Sequence, residues 1–133
     1  MIEFNVYVPT VVKENLPYKN LEQISYNIKF SVKIFGKLFM DVSDFPIYDF
    51  VSFALWWVGR SKKSFEYMRE GIDSQPWLRF SVVSEDAVQI SSPYQKFAFD
   101  GLISKKEIIN ALEKIESDIR PSDEWYAQFA SLR

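Results

Sequence analysis

The chain has no cysteine and no histidine in 133 residues. Without cysteine there are no disulfides, no thiolate metal sites and no cysteine nucleophile. Without histidine the usual general base near neutral pH is missing, as are the commonest metal ligand and any Ser-His or Cys-His pair. Zinc sites built on either residue are excluded. Glycine is scarce, at four, and proline numbers six, which leaves little material for flexible linkers. Charge of one sign is also lacking: the net charge is −2. Residues 1–67 carry eight basic and seven acidic side chains, and residues 68–133 eight and eleven, so the second half is mildly acidic (8 − 11 = −3). No basic field for nucleic acid results, and no nucleic-acid partner is expected. The most apolar stretch, Phe50 to Gly59, is too short to span a bilayer, and Met1 to Val6 has neither a basic nor an apolar signal region. No membrane association and a cytoplasmic location are the expectation.

What the chain has instead is apolar and aromatic material: 47% hydrophobic residues, with twelve Phe, seven Tyr and four Trp. That suffices for one core, so residues 1–133 are read as a single domain. The strongest pattern is the alternation from Ile24 to Ile34, with Ile24, Tyr26, Ile28, Phe30, Val32 and Ile34 at every second position. Strand geometry sends these to one dry face, which needs a roof, most simply a helix. A first strand is read at residues 2–8 and a second at 23–34. A turn at Phe35-Gly36-Lys37 leads to a third strand with Leu38, Met40 and Val42 on the dry side.

Asp44 followed by Pro46 is a helix-start signature. Ile47, Phe50, Val51, Ala54, Leu55 and Val58 then recur at helical spacing up to Gly59, which is read as the stop. Shorter strands are read at 65–70, 77–83, 87–91 and 96–103, the middle two as a hairpin around Ser84-Glu85-Asp86. Ser104 and Glu107 form a capping box for a helix carrying Ile108, Ile109, Leu112, Ile115 and Ile119, ended by Pro121. A short tail helix is expected after Asp123. The fold class is α+β, in the order β-β-β-α-β-β-β-β-α plus the tail helix, with a mostly antiparallel sheet and the helices packed on it.

The first helix has a complete core stripe, yet Tyr48, Phe53, Trp56 and Trp57 project elsewhere; such rings anchor interfaces, or pack against the second helix. Asp41, Asp44 and Asp49 sit within nine residues; a carboxylate pair can hold Mg²⁺, but a wet strand face, a cap and a helix first turn account for them. Lys29, Lys33 and Lys37, with Asn27 and Ser31, offer a polar sheet face that lacks the ring a stacking platform needs. Arg60-Ser61-Lys62-Lys63 follows a helix C-terminus, where cations are favoured, without a Gly-rich phosphate loop. Glu107, Glu113, Glu116, Asp118, Asp123 and Glu124 make the C-terminal region acidic, as a solvated helix face or, with Trp125 as an anchor beside Asp123 and Glu124, as a docking surface for a basic partner. No cofactor and no metal are implied.

The modest length, mixed antiparallel sheet, abundant aromatics, lack of a catalytic constellation and the helix Ser104-Lys-Lys-Glu-Ile-Ile-Asn-Ala-Leu-Glu-Lys-Ile115 together resemble the small immunity proteins of bacterial polymorphic or contact-dependent toxin systems. The resemblance implies a non-enzymatic protein that binds and blocks a cognate toxin, and it assigns no residue a role. The partner is then that toxin or a second copy of the chain. The alternatives are a small apolar-ligand carrier, a structural or assembly subunit, and an enzyme using carboxylates, Tyr or Lys alone.

Overall fold

Among the described residues, alternating runs form strands and two amphipathic stretches form helices. The computed structural model describes residues 1–9, 24–69 and 71–119. In chain order these form β1 (Ile2–Tyr7), β2 (Lys29–Ile34), β3 (Lys37–Ser43), α1 (Ile47–Arg60), β4 (Phe65–Tyr67), β5 (Leu78–Val82), β6 (Ala87–Ser91), β7 (Ile103–Ser104) and α2 (Lys105–Ile119). This is the expected α+β order. The strands divide between two antiparallel sheets, β1-β2-β3 and β4-β5-β6-β7. The expected tail helix lies outside the described residues.

In the first sheet Phe4 pairs with Val32, which pairs in turn with Met40, and Val6 pairs with Phe30, which pairs with Val42. Phe4, Ile28, Phe30, Val32 and Met40 are fully buried, so the alternation does produce one dry face. The strand is shorter than the pattern suggests. It begins at Lys29, because Asn27 takes a left-handed φ of +56° and turns the chain, leaving Tyr26 exposed. Asp44 Oδ1 accepts the Asn27 N–H at 2.9 Å. Asp44 is therefore a turn staple and not a helix cap; Pro46 holds the N-cap position of α1 with no side-chain bond. The β2–β3 turn uses Phe35 (φ +50°) and Gly36 (φ +77°), the left-handed pair a two-residue hairpin needs. A bulge then shifts the register, so Leu38 opposes Lys33 and is not a dry-face residue.

Of the segment read as a strand over 96–103 only Ile103 is in a sheet, in β7 with Ser104. The rest covers the outer side of β3. Lys96 N–H donates to Phe39 O at 2.7 Å, and Phe97 meets Phe39 edge-on at 5.5 Å. Phe97 and Phe99 alternate as strand residues do, but they bury against Phe39 and Phe35 instead of a ladder neighbour.

Helix α1 lies over the junction of the two sheets. Phe50 contacts Phe4 and Phe30 of the first sheet and Tyr67 of the second, at 6.3, 5.6 and 5.3 Å between ring centres. Phe80 of β5 stacks on Phe4 and on Trp57. The expected roof is thus in place. The helix runs through Gly59 to Arg60, and the extended Ser61 returns its N–H to Trp57 O, so glycine does not end it. Helix α2 runs antiparallel to α1: Tyr48 near the start of α1 donates to Ile119 O at 3.3 Å, and Lys105 reaches Ser61 O at 3.0 Å. The capping box forms as expected, with Glu107 N–H on Ser104 Oγ at 3.1 Å and Ser104 N–H on Glu107 Oε2 at 3.2 Å. Ser104→Ala is expected to cost about 1 kcal/mol, measured as a lowered urea midpoint with an unchanged slope.

Candidate functional site

The four extra rings of α1 separate into two kinds. Tyr48 is fully buried and Trp57 is 3% exposed, so both are core residues and not partner contacts. The physical reason is that α1 is covered on several sides. Helix α2 takes the Tyr48 side, while Phe65 and Phe80 receive the Trp57 ring at 5.5 Å each. Trp57 Nε1 donates to the Lys63 carbonyl, and Lys105 Nζ sits 5.1 Å above the ring. Desolvation holds the Tyr48 hydroxyl well above its ordinary range. Phe53 and Trp56 point the other way, at 55% and 45% exposed. They lie three residues apart, which on a helix puts them side by side.

On α2, Glu113 is exposed while Glu116 is buried, so Glu116 is not a solvent-facing contact. It sits one residue from Ile115 at the margin of the apolar stripe, where the helix meets the core. Asp123, Glu124 and Trp125 lie outside the described residues. The basic loop after α1 serves the fold: Ser61 Oγ accepts Lys63 N–H at 3.1 Å, and Ser64 Oγ accepts Val82 N–H at 2.9 Å.

A polar cluster, buried at Tyr67 and Asp49 and partly buried beyond, stands beside α1. Tyr67 donates to Asp49 Oδ2 at 2.7 Å. Two residues on, Arg69 grips Asp73 through its N–H (2.9 Å), Nε (3.2 Å) and Nη2 (3.0 Å), and Trp77 Nε1 adds a fourth donor at 2.7 Å. Gly71 at φ +80° lets the chain close this loop. Burial alone would raise Asp73, but the Arg69 side-chain and backbone donors and the Trp77 indole outweigh it and hold the carboxyl below its usual range. The Asp73 hydrogen bond also raises Arg69. Burial, with Asp49 alongside, drives the Tyr67 hydroxyl far above its ordinary range. The chemistry is that of a staple: Asp49 and Asp73 both accept bonds from neighbouring side chains. The sequence signal was available, since Arg69, Asp73 and Trp77 follow at four-residue spacing around a glycine.

The first sheet also has an open face. Asn5, Ser31 and Asp41 form one cross-strand row, and Tyr7, Lys29 and Ser43 the next. A shallow groove of about 190 Å³ runs between them. Tyr7 is 60% exposed there, so β1 supplies a ring to the lysine face that β2 alone lacks. Lys37 does not join it, since its Nζ lies 4.5 Å above the Phe97 ring. Among the described residues no group of three or more acidic side chains is placed to hold a metal ion, and no helix is long and apolar enough to cross a membrane.

A family model described as a domain of unknown function, DUF7878, matches residues 3–122. No curated protein and no solved structure matches the chain.

Proposed function

This chain belongs to the DUF7878 family, and from that premise we propose that it is a non-enzymatic protein-binding domain whose contact ridge is the outer face of α1. The observation that carries the reading is the contrast within one helix. Tyr48, Phe50 and Trp57 are buried, while Phe53 and Trp56 are held in solvent side by side. Two large rings together on a helix surface offer apolar area and, in the indole, a polar tip, which is what interface anchors use. The exposed Glu113 and the acidic balance of residues 68–133 favour a partner with basic character.

The specific form we propose is an immunity protein that occludes a basic toxin, as the overall make-up of the sequence suggests. The absence of histidine and cysteine, and carboxylates engaged by neighbours, favour binding over catalysis. The test is co-purification from the native cells with the wild-type chain and with a Phe53→Ser, Trp56→Ser double variant. Both sites are exposed, so the variant is expected to keep its stability within about 0.5 kcal/mol. The expected result is a protein retained in equal proportion by the wild type, lost by the double variant, and toxic to cells that lack this chain. Identical retention by both, or none, contradicts the proposal.

A further inference from the structure

We propose that the open face of the first sheet is a binding site for a neutral saccharide, separate from the α1 ridge. Five side chains border one groove: Asn5 and Tyr7 from β1, Lys29 and Ser31 from β2, and Asp41 from β3. Strand geometry fixes this grid, because paired residues and those two apart along a strand share a face. The first sheet buries its other face in the core, so these groups are on a rigid platform.

Three observations point to the ligand class. The grid offers both donors and acceptors: an amide, a hydroxyl, an ammonium and a carboxylate. Among the described residues neither Lys29 nor Asp41 makes an ion pair or a side-chain hydrogen bond, so both remain available to a ligand. One cation and one anion cancel, so the groove holds no net attraction for an ionic ligand. Tyr7 adds a largely exposed ring. A pyranose has an apolar C–H face for such a ring and a rim of hydroxyls that both donate and accept. A flat apolar ligand would leave the polar groups unpaired, and a phosphate would meet Asp41 as a like charge. The groove, at about 190 Å³, suits one sugar ring, and a longer glycan would extend along the sheet.

The test is an amide-resolved NMR titration of the full chain with cellotriose, maltotriose and chitotriose, each to about 10 mM, the range that detects millimolar binding. At least one is expected to shift the amides of Tyr7, Lys29, Ser31 and Asp41, and to leave those of Phe53 and Trp56 unmoved. Tyr7→Ala is expected to weaken that binding at least about tenfold with an unchanged unfolding curve, since the ring is exposed. Asp41→Asn, which keeps the shape and removes the charge, is expected to weaken it less. Overturning results are no shift at these amides with any of the three sugars, or the same shift in Tyr7→Ala. Neither outcome bears on α1, whose ridge is tested by co-purification.

Discussion

Phe30→Ala is expected to destabilise the protein by about 3–5 kcal/mol, the range for deleting a buried ring. Phe30 is fully buried, stacks on Phe45 at 4.4 Å with planes 18° apart, and touches Phe4 and Phe50 at 5.7 and 5.6 Å. It thus joins both outer strands' neighbourhood to the helix roof. Alanine forfeits these contacts and leaves a cavity where three other rings converge, which cannot collapse without moving α1. Against a total stability of about 5–15 kcal/mol for a domain, that loss leaves a fold near its threshold. Urea unfolding measures it. Phe30→Leu, which retains most of the volume, is expected to lose clearly less, so an unfolded alanine variant does not end the test. The same substitution at Phe53 is expected to cost almost nothing. Equal losses at positions 30 and 53 would contradict the assignment of one ring to the core and the other to solvent.

Asp73→Asn is expected to cost about 2–4 kcal/mol, because it removes the charge that four donors converge on and sets a neutral amide against the largely buried Arg69 guanidinium. The side chains of Arg69 and Asp73 are only 13% and 10% exposed, so solvent screens the pair weakly. The effect depends on pH in a fixed direction. Asp73 is held below its ordinary value in the folded state. Its contribution is complete at neutral pH and is lost as pH falls through that lowered value, where the folded carboxyl takes up its proton. Wild-type and variant unfolding curves should therefore lie far apart at neutral pH and converge in acid. A gap that stays constant with pH, or that widens in acid, would show that the carboxylate is not the bonded form. Trp77 gives a second readout, since its indole N–H loses a charged acceptor and its emission should change in the variant.

Legibility in the sequence followed how local each cause was. The first strand, the β5–β6 hairpin and the Ser104–Glu107 box depend on neighbours a few residues apart, and each was readable. The division into two sheets was not, because turn chemistry fixes which strands are joined and says nothing of which edges stay apart. The alternation through Ile24 and Tyr26 overran the strand, since the apolar period continues across Asn27 while the backbone does not. Leu38 followed the period too, until a bulge placed it against Lys33. On α1 a single periodic stripe identified Ile47, Phe50, Val51 and Ala54 correctly but left Tyr48 and Trp57 open between an interface and the core. A stripe argument assumes one covered face, and α1 is covered by two sheets and a second helix. Of the expected contact residues, Phe53, Trp56 and Glu113 are on the surface. The Arg69–Asp73–Trp77 staple needs a loop closure that Gly71 permits, and only the four-residue spacing of its members around that glycine hints at it.

The partner-contact reading of α1 is tested most directly by photo-crosslinking in the native cells. A benzophenone side chain is placed at position 53 or 56, and at position 7 on the open sheet face as an exposed control. One discrete protein adduct of the same mass is expected from positions 53 and 56, and none of that mass from position 7. No adduct at either helix position, or an adduct of that same mass at position 7, would contradict it.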